Sequence, residues 1–105
     1  MQRLFVFSQM FIINLNYIAP LKEIDGRMKQ HMVFLNACYR EGLFIVSGRK
    51  IPRTGGIILT HGSSKEDVEA LMRNDPFVAH GLAEFDVIEF QASQSHPDFK
   101  KSLKE

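Results

Sequence analysis

The sequence has no tryptophan and one cysteine, Cys38, in 105 residues. A lone thiol excludes an internal disulfide and the zinc sites built on paired thiolates. Cys38 lies in an apolar helical pattern and reads as a small core residue of a protein kept in a reducing compartment. Neither sign of charge is in excess: 13 Lys and Arg stand against 12 Asp and Glu, a net charge of +1. That balance argues against nucleic acid or a membrane surface as a partner. The basic cluster Arg49, Lys50 and Arg53 is too small for a nucleic-acid footprint. No apolar run nears the roughly 20 residues that cross a bilayer. The stretch Met1 to Met10 lacks a small-residue cleavage signature, so no secretory signal is expected and the chain is assigned to the cytoplasm. There is no GxGxxG or P-loop pattern. The four histidines show no metal-ligand spacing along any one helix, so neither metal nor cofactor is expected.

What is present describes one globular domain. Hydrophobic residues make up 45% of the chain and charged residues 24%, an ordinary balance for a packed core. A domain of this size buries a modest share of its surface, which makes oligomerisation a natural source of further stability. Phe11, Ile13, Leu15 and Tyr17 alternate with Asn14 and Asn16, the period of a strand. Pro20 opens a helix over Leu21 to Arg40, with Ile24, Met28, His31, Leu35 and Cys38 on its inward stripe and Met32 and Tyr39 widening it. Gly42 suits the left-handed cap. Leu43 to Ser47 and Gly56 to Thr60 read as strands two and three, joined by the Gly- and Pro-marked hairpin loop 48–55. Ser63 or Ser64 caps a second helix with Val68, Leu71 and Met72 inward; Ser63 and Glu66 have the capping-box spacing. Asn74-Asp75-Pro76 breaks that helix, and Asp75 caps a short one over Phe77 to His80. Phe85 to Phe90 is the fourth strand, and the tail from Gln91 is polar, with Lys100 to Glu105 expected to fray.

Strand, helix, strand, strand, helix, strand is the βαββαβ order of an α+β ferredoxin-like fold. Strands two and three are apolar on both faces, yet two helices cover only one face of a four-stranded sheet. An identical sheet is the simplest cover for the other face, so a homodimer packed through the sheet is expected.

Few side chains suit chemistry. His31 sits on the inward helical stripe, where it is either a core-edge histidine bonded to backbone or a general base. Asp75 is either a helix cap or the carboxylate that orients an imidazole, and the two roles are compatible. Arg49 and Arg53 belong either to a solvated turn or to an anion-holding loop. Ser47 and Gly48 end strand two, where they can line a pocket; Gly48 permits close backbone approach.

His31, the stretch Leu43 to Gly56, the motif Asn74-Asp75-Pro76-Phe77 and the strand Ala83 to Phe90 together resemble the YciI-like family from Met10 to about Ala92. The resemblance implies ferredoxin-like subunits, each with a four-stranded antiparallel sheet, paired as a dimeric α/β-barrel in mostly bacterial proteins. It implies a catalytic pair, His31 and Asp75; the substrate would then sit near Ser47 and Gly48, with Arg49 or Arg53 holding an anionic group. One type of member is a dehydrochlorinase acting on a chlorinated hydroxyquinol, so acid–base chemistry on a small, anionic or aromatic ligand is expected. The division that follows is an extension at 1–9, in the manner of an upstream start, a domain at 10–92 and a polar tail at 93–105. Against the enzyme stand two other readings: a binding module without turnover, and a structural dimer whose His–Asp pair is a buried hydrogen bond.

Overall fold

The computed structural model describes residues 9–102. Four strands and five helices follow in the order β1 (Gln9–Tyr17), α1 (Leu21–Gly26), α2 (Met28–Arg40), β2 (Phe44–Arg49), β3 (Gly55–His61), α3 (Lys65–Met72), α4 (Pro76–Ala79), β4 (Ala83–Gln91) and α5 (Pro97–Ser102). The strands form one antiparallel sheet in the order β2-β3-β1-β4, the ferredoxin-like arrangement. The apolar stretch Leu4 to Phe7 lies outside the described residues.

Alternation along β1 decides what each face of the sheet does. Ile13 pairs with Ile58 on one side and Val87 on the other, and Leu15 with Gly56 and Phe85. These rows, with Phe11, lie on the face the helices cover. Ile24, Leu35, Cys38, Val68, Met72 and Phe77 complete that core. The opposite face carries Val46, Ile57, Ile88 and Phe90, all exposed.

One expected helix is two. Chain direction changes at Gly26 and Arg27, where Arg27 leaves helical geometry at φ −112° and ψ 6°. Gly26 removes the helical preference of that turn. The stripe from Ile24 to Cys38 nonetheless keeps its spacing, because α1 and α2 bury the same side. Met32 and Tyr39 do not widen the buried stripe: both are exposed. Gly42 takes φ 76° as the left-handed cap. Ser64, not Ser63, caps α3: its Oγ accepts from the Asp67 amide at 3.0 Å, and Ser63 donates its hydroxyl to the Asp67 carboxylate. The polar tail contains a helix, α5, started by Pro97 and by His96 Nδ1 accepting from the Asp98 amide.

Gly55 must be glycine. A Cβ there would lie 1.8 Å from the Leu15 carbonyl oxygen, a backbone atom that cannot move without parting β1 from β3. Gly55→Ala is expected to destabilise the fold by ~1–3 kcal/mol or more, read from the midpoint of urea unfolding. Cys38 is buried, and burial, followed by the charges of Glu41 and Asp75, pushes its thiol from its ordinary value near 9 up to about 11. Two consequences follow. The thiol should resist alkylation until the protein is unfolded. The unfolded chain releases this proton first, so stability should fall as pH rises from about 9 to about 11, a loss that Cys38→Ala would remove from the thermal unfolding profile.

Candidate functional site

Asp75 follows the end of α3, where Pro76 forbids helical geometry at the residue before it. Its backbone is extended, at φ −62° and ψ 127°, and its Oδ1 accepts from the Phe77 amide at 3.3 Å, the N-cap of α4. The same oxygen accepts from His31 Nδ1 on α2 at 2.8 Å. Both residues are buried, Asp75 completely. Phe77, next along α4, stacks on the His31 ring at a centroid distance of 4.1 Å and an interplanar angle of 12°. Tyr17 meets Phe77 edge to face at 5.8 Å. The imidazole is therefore fixed on one side by a carboxylate and across one face by a ring. A carboxylate only accepts, so Nδ1 carries the proton and the lone pair is left on Nε2. The second oxygen of Asp75 is buried and bonds to nothing among the described residues.

Beside His31 lies a cavity of about 510 Å³ between α1, α2 and one end of the sheet. Its origin is a shortage of side chains. Gly56 stands on the helix-covered face of β3, between Leu15 of β1 and Arg49 of β2, and fills none of that space. Apolar walls come from Leu15, Met28, Leu35 and Ile58; His31 supplies a titratable group. Ser47, Gly48, Arg49 and Arg53 all line it too. Ser47 lies in β2 as expected, and Gly48 and Arg49 belong to β2 rather than to the hairpin loop. Ser47 and Arg49 pair with Ile58 and Gly56 and point to the helix side. Ser47 Oγ is 2.6 Å from the Tyr39 hydroxyl. A Cβ at Gly48 would meet nothing within 4 Å, so the packing of this chain does not demand glycine there. Asp75 is not part of the wall; it lies behind His31.

Arg53 and Asp25 close one side. The last turn of α1 places Asp25 at the cavity, where its carboxylate accepts from Arg53 Nη2. That bond, before any other influence, raises the already high pKa of the guanidinium; the neighbouring Tyr17 hydroxyl adds to it. Tyr17, Asp25 and Phe77 are the members of this site that pattern reading passed over. Asp25 left no trace either, since its place in the last turn of a helix appears only once the break after Gly26 is known. Among the described residues, no three His, Cys, Asp or Glu side chains cluster as metal ligands, and no helix is long and apolar enough to cross a membrane.

The fold and cavity together are those of a small ferredoxin-like domain with a pocket on the helix side of its sheet. The chain belongs to the YCII-related domain family, whose model matches residues 10–91. It is similar in structure to 5-chloro-2-hydroxyhydroquinone dehydrochlorinase (TftG) of Burkholderia phenoliruptrix AC1100, solved with 2,5-dihydroxybenzoquinone: 18% identity, 87% of this chain and 97% of that chain, TM-score 0.63. It is also similar to SnoaB, a cofactor-independent oxygenase of Streptomyces nogalater: 13% identity, 86% of this chain and 97% of that one, TM-score 0.50. At these identities the likeness extends to the fold. No curated protein sequence is significantly similar to the chain.

Proposed function

We propose that this protein is a small-molecule acid–base enzyme, of lyase, isomerase or dehydrochlorinase type, with His31 as its base and Asp75 as the positioning carboxylate behind it. The observation that carries the proposal is the 2.8 Å bond from His31 Nδ1 to Asp75 at the wall of the cavity. Held this way, the ring offers Nε2 to a ligand as the basic nitrogen. When Nε2 takes a proton from a ligand C–H or O–H, the ring becomes an imidazolium with an anionic partner already in place. The electron pair left on the ligand either shifts a double bond or expels a leaving group such as chloride. The imidazolium then returns its proton to another ligand atom or to water. Ser47, Gly48, Arg49 and Arg53 hold the ligand against the apolar walls. The similarly folded dehydrochlorinase, whose substrate is a chlorinated hydroquinone, supports a small ring as the substrate class.

The test needs no prior substrate. The protein is incubated in D₂O with a panel of small hydroxylated and carboxylated ring compounds, and loss of each C–H signal is followed by NMR. Protein-dependent exchange, or product formation, is expected for at least one compound that also shifts the His31 resonances. Compounds that shift those resonances yet never exchange or react would instead favour a binding module.

The open sheet face enters the same proposal as a homodimer surface. Val46, Ile57, Ile88 and Phe90 are too large and too exposed to sit together in water without cover. Ile88→Arg places an unpaired charge on that face, midway along edge strand β4, and is expected to convert a dimer to a monomer in sedimentation velocity. A wild-type protein that sediments as a monomer at high micromolar concentration would remove the dimer.

A further inference from the structure

The Arg53–Asp25 pair has an asymmetry that the acid–base reading does not use. Arg53 is an edge-bearing donor: Nε–H and one Nη lie side by side and fit the two oxygens of a carboxylate. Nη2 is taken by a single oxygen of Asp25. Nε is buried and has no acceptor among the described residues. The Arg53 side chain is 25% exposed, whereas that of Asp25 is 60% exposed. The cation is thus held in the cavity wall with one covered donor unmet, which a ligand reaches only when Asp25, standing mostly in solvent, moves aside. Arg49 also lines the cavity but is exposed along its strand edge, so water satisfies it. Two guanidinium charges and one carboxylate give the cavity mouth one net positive charge, the match for a monoanion rather than a phosphate.

We propose that the cavity selects small apolar carboxylates, that Arg53 is the residue which recognises the carboxylate, and that Asp25 occupies its place until a ligand displaces it. This rests on the reading of the cavity as the ligand site. The apolar walls take the body of the ligand, and the buried Nε–H gains the acceptor it lacks. Asp25 then acts as an internal competitor that sets the affinity: any ligand must exchange for it, and a neutral ligand has nothing to exchange.

The test compares benzoate with benzamide, equal in shape and different in charge, by NMR titration of the full chain. Wild type is expected to prefer benzoate. Arg53→Gln should weaken benzoate about tenfold or more and remove its preference over benzamide, whereas Arg49→Gln, an exposed and screened charge, should weaken benzoate by only about two- to fivefold and keep the preference. Asp25→Asn frees the guanidinium and should tighten benzoate by about two- to fivefold, a gain that a merely structural ion pair would not give. Thermal unfolding of each variant verifies that it is folded. Equal binding of the two compounds, a preference that follows Arg49, or no binding of either at millimolar concentration overturns the proposal. His31→Asn separates it from the enzyme reading, since it should lose proton exchange and keep the benzoate preference; a wild-type protein that prefers benzoate yet exchanges no ligand proton would sustain the Arg53 anchor and end the acid–base function alone.

Discussion

Replacing His31 with asparagine is expected to slow proton exchange on a cavity ligand by about 10²–10⁴-fold, the usual worth of a positioned acid–base group. Asparagine is the right probe because its side-chain amide can still donate to Asp75 Oδ1, the bond that His31 Nδ1 makes at 2.8 Å. What it cannot do is present a basic nitrogen to the cavity. Loss of the stacked contact with Phe77 costs some packing, but a residue at the cavity wall leaves its neighbours room to adjust. Ligand binding should therefore change little while exchange collapses. A residual rate within a few-fold of wild type, measured on the same compound in D₂O, would show that Nε2 is not the base and would sink the proposed mechanism.

Much of this site was legible from local pattern. The inward position of His31 follows from its spacing to Met28 and Leu35 on an amphipathic helix. The cap role of Asp75 follows from the proline after it, and capping and orienting turn out to share one oxygen, Oδ1. No pattern could show that the two residues touch. They are 44 positions apart, and their meeting depends on α4 packing against α2. The family resemblance supplied the pairing; the residues alone did not. Tyr17 and Phe77 were hidden for a similar reason, since an aromatic ring on a buried face looks the same whether it fills a core or braces an imidazole.

The break at Gly26 was hidden because it does not disturb periodicity. A single glycine weakens a helix without ending it in most contexts. Here the last turn before the break carries Asp25, which accepts from Arg53. Most strand boundaries slipped outward by one or two residues, for a different reason. Gly48 and Arg49 belong to a stretch with the composition of a turn but are held in β2 by pairing with β3, a tertiary effect that outweighs local preference.

Asp75 offers the sharper division between holding the fold and doing chemistry, because two substitutions separate the roles. Asp75→Ala removes both acceptors at once. It leaves the His31 Nδ1–H buried without a partner, at about 1–3 kcal/mol, and strips α4 of its cap, at about 0.5–2 kcal/mol. For a domain of this size each kcal/mol moves the melting temperature by about 4–8 °C, so a fall of about 10 °C or more is expected in a thermal scan. Asp75→Asn keeps an oxygen for the His31 and Phe77 donors. It places the new amide where Oδ2 has no partner, a smaller loss of stability. It also removes the negative charge that an imidazolium at position 31 relies on. If the pair only holds the fold, ligand binding and any turnover of the two variants should follow their melting temperatures, and Asp75→Asn should be the milder change in every measurement. If the pair does chemistry, Asp75→Asn should lose proton exchange nearly as completely as Asp75→Ala while melting several degrees higher, since the charge is needed only when His31 takes up a proton and the hydrogen bonds are needed at all times.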